Sequence, residues 1–290
     1  MIKIINKVNF TNIKGDIYGG LTAAVIALPL ALAFGVSSGA GAIAGLYGAI
    51  LVGFFAALFG GTATQISGPT GPMSVVMALV LTEMIATHGS SGVVLAFSAV
   101  IFSGLFQILF GVFRLGKYFV MVPYPVISGF MTGIGIIIIL MQIAPMLGVT
   151  GFSNALLSVK SLPDTLTKVN ANAAYISISA LIIMYFWPKK LTTVIPAPLA
   201  ALIGLTFLSA WLTHNHYIND AIPVIGVIPT GFPQLIWPDL SFISMSSVLY
   251  YAFLLAVLGA IDSLLTSMVA DAMTQDHHLS DKELIGQGIG

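Results

Sequence analysis

Long apolar stretches separated by short polar ones set the plan of this chain. Predominantly apolar runs cover residues 17–34, 42–59, 93–112, 126–147, 194–212 and 248–270. A hydrocarbon core about 30 Å thick needs about 20 residues of helix at 1.5 Å each, so these six runs predict membrane spans. A shorter run over 173–187 fits by extending or tilting. Another, over 73–86, reaches only about 21 Å by the same rise and is too short alone. No run alternates with period two, so the spans are helices and not barrel strands. Eight helical segments result, and residues 284–290 open a further one. The predicted class is an all-α integral membrane protein.

Composition agrees and excludes other classes. The 290 residues hold 10 Lys+Arg and 10 Asp+Glu, 7% charged against 58% hydrophobic. Soluble domains have about 25% charged residues to keep their surface solvated. A soluble enzyme, a disordered chain and a nucleic-acid binder with a basic surface are therefore not expected. Without cysteine there is no disulfide framework and no thiolate metal site. The cations also predict direction. With the amino terminus inside, the inner segments hold Lys3, Lys7, Lys14, Arg114, Lys117, Lys189, Lys190 and Lys282, and the outer ones only Lys160 and Lys168. Positive charge collects on the cytoplasmic side, so a multi-pass plasma-membrane protein with a cytoplasmic amino terminus is predicted. The first run lacks a small-residue cleavage site, which argues against a removed signal peptide.

Much of the familiar chemistry is missing. No Walker loop, Gly-x-Ser-x-Gly elbow or His-Glu-x-x-His pattern occurs, so the energy source expected is an ion gradient and no enzyme activity is expected. Glycines over 39–45 have the wrong spacing for a dinucleotide loop and suit a tight turn with close helix packing. His214 with His216, and His277 with His278, lack a second set of ligands and read as solvated loop histidines. Asn9 opens a glycosylation pattern on the predicted cytoplasmic side, a chance match. The outer connections predict a short surface helix over 153–172 and a long proline-containing loop over 213–247.

Two places stand out. Pro69 and Pro72 cannot donate hydrogen bonds, and each drives its preceding residue away from helical geometry. The chain is then extended up to about Pro72, with Thr70 or Gly71 as cap of a helix that begins at membrane depth. Such a start turns unpaired N–H groups and partial positive charge inward, making an anion site without a cationic side chain. Its predicted donors are the Met73 and Ser74 amides beside the Thr70 hydroxyl; the alternative is an ordinary surface turn. The second place is Asp262, in mid-span, where an unpaired charge costs at least about 2.5–3.5 kcal/mol. Thr266 lies one turn on along the same face, with Ser263 and Ser267 as a neighbouring stripe. A carboxylate and a hydroxyl suit Na⁺ or a proton; the alternative is an Asp that only ties helices together. Glu83 lies near an outer helix end, and Asp16 and Asp271 at helix ends within reach of water. Asp262 alone is read as mid-membrane.

These residues closely resemble the SulP (sulfate permease) family of anion transporters. The matching segments are 15–23 (GDIYGGLTA), 26–35 (IALPLALAFG), 44–48 (AGLYG), 66–72 (ISGPTGP), 224–229 (VIGVIP) and 262–266 (DSLLT). Leu30 stands where many sulfate-type members have glutamine, and the chain most resembles the cyanobacterial-type sodium-dependent bicarbonate branch. The resemblance implies a fourteen-helix fold of two inverted seven-helix repeats split into core and gate, whose broken third and tenth helices meet around the anion. It implies a cytoplasmic segment over 1–15, core helices one to four over 16–118 and gate helices five to seven over 119–212. An outer loop over 213–247 and core helix eight with the start of helix nine over 248–290 follow. By the same resemblance Thr70, Gly71, Met73 and Ser74 bind the anion, and Asp262 and Thr266 bind sodium as coupling ion. The implied activity is Na⁺-coupled bicarbonate uptake by a homodimer, with proton-coupled or exchange transport of sulfate or a dicarboxylate as the alternative. Segment 284–290 (LIGQGIG) resembles the opening of the ninth helix, so the chain reads as the amino-terminal part of a longer transporter, without the later helices and the STAS domain. A non-transporting fragment or assembly subunit is the remaining alternative.

Overall fold

The computed structural model describes residues 5–6, 10–121, 123–152, 155–192, 195–215, 222–224 and 245–290. His216, Asn9, Lys3, Lys7 and most of the 213–247 connection lie outside the described residues. In chain order the helices are α1 (Ile13–Ser37), α2 (Ala42–Phe59), α3 (Gly71–His88), α4 (Ser91–Val112), α5 (Gly116–Val120) and α6 (Tyr124–Met146). Then follow α7 (Ala155–Lys160), α8 (Leu162–Thr167), α9 (Ala171–Phe186), α10 (Lys189–Thr192), α11 (Ala197–His214), α12 (Met245–Thr274) and α13 (Ser280–Ile289). The protein is an all-helical membrane protein, and no strand occurs among the described residues.

Seven of these helices are long and apolar enough to cross a membrane, α1 to α4, α6, α11 and α12, with α9 as a shorter apolar helix. Together they are the eight segments read from the pattern. One length needs correction. With 18 residues α3 extends about 27 Å, because Gly71 and Pro72 form its first turn and Thr87 and His88 its last. The 153–172 connection holds two short helices, α7 and α8, in place of one. Gly39 and Gly41, at φ of 76° and 92°, make the turn between α1 and α2, a region L side chains rarely adopt.

Packing gathers α1, α2, α3, α4, α12 and α13 into one group, and α6, α7, α8, α9 and α11 into another, with α3 touching α6 and α1 touching α11 across them. The core of the first group is Val80, Leu81 and Met84 of α3, Leu95, Ala96 and Ala99 of α4, and Val248, Ala252 and Leu255 of α12. Outward on α1, α6, α9 and α11, large apolar side chains such as Leu21, Ile139, Tyr185 and Phe207 are exposed. A helix surface of that kind needs lipid, not water, around it.

Helix α13 is wedged between α2 and α4, and this adds to the charge map. Lys282 is buried and donates to Asn6 Oδ1. Glu283, 2% exposed, is a second buried carboxylate beside Asp262. The histidine reading changes too. His278 Nδ1 lies 2.6 Å from Asp271 Oδ2 and its Nε2 bonds Ser280 Oγ at 2.9 Å, so it ties the α12–α13 corner. His214 sits in the last turn of α11 and not in a loop.

The wedge depends on small residues. A Cβ at Gly104 of α4 would stand 2.6 Å from the Gly288 carbonyl oxygen of α13. Gly104→Val in the intact protein is expected to lower its stability in detergent by about 1–3 kcal/mol through overpacking, read as a fall in melting temperature. Gly133→Ala on α6, where a Cβ meets nothing within 4 Å, is expected to leave the melting temperature unchanged or raised.

Candidate functional site

The segment between α2 and α3 has no helix of its own, yet it lies deep. Gly48 and Gly53 in the body of α2 face Pro69 and the Ser67 carbonyl, so residues 67–70 run beside the middle of that helix. Side chains of α12 and α13 tie it down along its length. Gly61 N–H donates to Glu283 Oε2 at 2.8 Å, and the Gly61 carbonyl accepts from Leu279 N–H at 3.1 Å. The hydroxyls of Thr62 and Ser267 meet at 2.9 Å, and Ser267 Oγ donates to Gln65 Oε1 at 2.7 Å. Gln287 Nε2 donates to Ser67 Oγ and, at 2.9 Å, to Glu283 Oε1.

The segment ends at Thr70, which is extended (φ −119°, ψ 156°) and caps α3. Its hydroxyl does two things. Oγ1 donates to Asp262 Oδ2 at 2.7 Å and accepts from Met73 N–H at 3.5 Å. The Met73 contact is at the limit of hydrogen-bond length, so that amide is loosely held. The Ser74 amide is not free: Ser74 N–H and Oγ both donate to the Thr70 carbonyl, at 2.9 and 2.7 Å. Of the two amides expected to face an anion, only that of Met73 remains available in this arrangement.

Asp262 is 7% exposed, and among the described residues Thr70 gives its carboxylate the one side-chain hydrogen bond it has. Thr266 stands at the open edge, and its hydroxyl proton goes to the Asp262 carbonyl at 2.9 Å, leaving its lone pairs outward. Thr70, Met73, Asp262 and Thr266 all border one cavity of about 160 Å³, together with Gln65, Gln107 and Gln287. Gly71 does not. It faces the other side of α3, where it and Ser74 border a cleft of about 170 Å³ against Ile138 and Gln142 of α6. Ser74 also joins Thr70 and Met73 in lining a larger cavity of about 270 Å³ beside Phe34 and Ala44. Thr70 and Met73 are therefore the wall between a polar cavity and a largely apolar one.

The polar cavity suits a hard monovalent cation: a carboxylate, a hydroxyl with free lone pairs and carboxamides are oxygen donors of the right kind. Sequence reasoning missed Gln65, Glu283 and Gln287, which tie the place together, and Gln107, which lines it. One signal was present. Glu283 and Gln287 are four apart, on one face of an otherwise apolar segment.

Comparison with known proteins shows the family and the fold. The sequence model of the Sulfate permease family matches residues 13–290. The bicarbonate transporter BicA of Picosynechococcus sp. is 49% identical over 292 residues, covering 100% of this chain and 51% of that protein. The bicarbonate transporter BicA of Synechocystis sp. is 47% identical over 290 residues, covering 100% and 51%. The chain thus spans about half the length of the curated relatives it matches. Among solved structures, the transmembrane domain of a cyanobacterium bicarbonate transporter BicA matches with TM-score 0.90 and 46% identity, over 99% of this chain and 73% of that one. The murine Slc26a9 anion transporter in its inward-facing state shares the fold, with TM-score 0.79 at 18% identity over 97% of this chain and 50% of that one.

The Thr70 hydroxyl serves cap and carboxylate together, so Thr70→Val removes both bonds. It is expected to destabilise the intact protein by about 1–3 kcal/mol, the cost of stranding a buried acceptor, whereas Thr70→Ser keeps both. Paired thermal melts of the two variants in detergent check this; equal melting points would remove the hydroxyl from the account.

Proposed function

The chain belongs to the sulfate permease family, and on that premise we propose that the intact protein is a secondary active anion transporter that takes up bicarbonate together with Na⁺. The observation that carries this reading is the hydrogen bond from Thr70 to Asp262, which makes one residue the wall of both sites. An anion approaching the amino end of α3 is drawn by the helix dipole. It is repelled by the Asp262 carboxylate just beyond Thr70. Na⁺ at Asp262 and Thr266 removes that repulsion, so each ion raises the other's affinity by linkage. The bound cation and anion cancel each other, so the loaded site keeps only the single negative charge of Asp262, which the partial positive charge at the amino end of α3 faces.

In this reading α1 to α4 with α12 and α13 are the moving core and α6 to α9 with α11 the gate. The support is that helix contacts fall mostly within these two sets. Core and gate would rock against each other where α3 meets α6 and α1 meets α11. The same reading has the protein in the plasma membrane as a homodimer with its amino terminus in the cytoplasm. Support for the orientation is the cation distribution, together with the contact between Lys282 and Asn6, which joins two segments assigned to the inner side. The names of the relatives at 47% and 49% identity favour bicarbonate as the anion.

The test is uptake of isotope-labelled bicarbonate into proteoliposomes holding the intact protein under an inward Na⁺ gradient. Asp262→Asn is expected to reduce Na⁺-driven uptake by about 5–150-fold, the span of ordinary coupling free energies. Undiminished uptake would take Asp262 out of the mechanism. Inhibition by sulfate without sodium dependence would favour proton-coupled or exchange transport instead.

A further inference from the structure

Gln107 of α4 borders the cavity that holds Asp262 and Thr266. It is 8% exposed, and its Oε1 is a buried oxygen without a hydrogen-bond partner among the described residues. Buried polar atoms are almost always paired, so an unpaired carboxamide on the wall of a polar cavity points to something that is to bind there. The neighbouring carboxamides are differently placed. Gln65 Oε1 accepts from Ser267, and Gln287 donates to both Ser67 and Glu283.

Helix α12 is shaped to admit this group. Gly259 lies one turn before Asp262, and a Cβ there would come within 2.6 Å of Gln107 Nε2 and 3.6 Å of Met73 Cε. Glycine is the poorest helix former after proline in a helix interior, and here its missing side chain leaves the slot that the carboxamide occupies. Rotation about the last side-chain bond exchanges the amide's oxygen and nitrogen ends. The oxygen can therefore be turned toward the Asp262 wall without moving α4.

We propose that Gln107 is a ligand of the coupling ion, its carboxamide oxygen completing from α4 a cation site that Asp262 and Thr266 begin on α12. A neutral carboxamide oxygen is a hard donor of the kind alkali cations take alongside a carboxylate. It also makes the site selective. A proton is satisfied by the Asp262 carboxylate alone, whereas Na⁺ needs several oxygens at once, so Gln107 favours the metal ion over the proton. The bound ion would bridge α4 and α12 beside the amino end of α3. This rests on the reading of the cavity as the coupling-ion site.

The experiment is a Na⁺ titration of the purified intact protein at constant ionic strength, with choline as replacement and melting temperature as readout. The wild type is expected to show saturable stabilisation by Na⁺, and Asp262→Asn none. Gln107→Leu is expected to raise the half-saturating Na⁺ concentration by about ten-fold, within the range for loss of a ligand-coupled interaction, and Gly259→Ala, which displaces the carboxamide but keeps Gln107, to shift it the same way. Half-saturation unchanged in Gln107→Leu would overturn the proposal while leaving the cation site standing. If Gln107→Leu is not recovered folded, Gly259→Ala decides in the same way. Absence of Na⁺ stabilisation in the wild type, or its persistence in Asp262→Asn, would overturn the cation reading and this inference with it.

Discussion

A backbone that leaves helical geometry inside a membrane has no water to satisfy it, and that constraint organises this protein. Residues 62–70 are such a backbone. Each unpaired group there would cost several kcal/mol in hydrocarbon, so the segment survives only where other helices supply partners. Helices α12 and α13 anchor it: Glu283 takes the Gly61 amide at its start, and Ser267, Gln287 and Asp262 bond the side chains of Gln65, Ser67 and Thr70. From its place between α2 and α4, α13 brings Glu283 to the Gly61 amide. The small residues Gly104 and Gly288 make that approach possible.

The two buried carboxylates then separate by how well each is satisfied. Glu283 accepts from the Gly61 amide, from Gln287 at 2.9 Å and from Ser263 at 3.4 Å. A charge so well supplied with donors is a structural tie. Among the described residues Asp262 has Thr70 alone, although it is nearly as buried. The deficit at Asp262 lies on the wall of a cavity, next to a helix start that attracts anions. Function is concentrated where satisfaction is incomplete, and rigidity where it is complete.

Legibility followed the range of the interaction. The spans were readable because bilayer thickness imposes a length and lipid imposes apolarity, both local properties. Thr70 as cap was readable because Pro69 and Pro72 restrict only their neighbours. The Asp262 and Thr266 pair was readable from helical spacing. By contrast the direction in which Gly71 and Ser74 face, toward α6 and away from Asp262, depends on how α3 is rotated in its packing. Glu283 lies just before the apolar run that begins at Leu284, and no local signal says that α13 slides between two other helices.

The sequence alone therefore determined a multi-span helical membrane protein, a helix start near Pro69–Pro72 and a carboxylate in mid-span, because length, hydropathy and proline sterics act over a few residues. The tertiary structure alone decided that Thr70 and Asp262, separated by 192 positions, share one hydrogen bond. It likewise decided that Gln107 faces the cavity beside them. Those juxtapositions arise from helix packing at small residues such as Gly259, and packing between distant segments leaves no periodic trace in the chain.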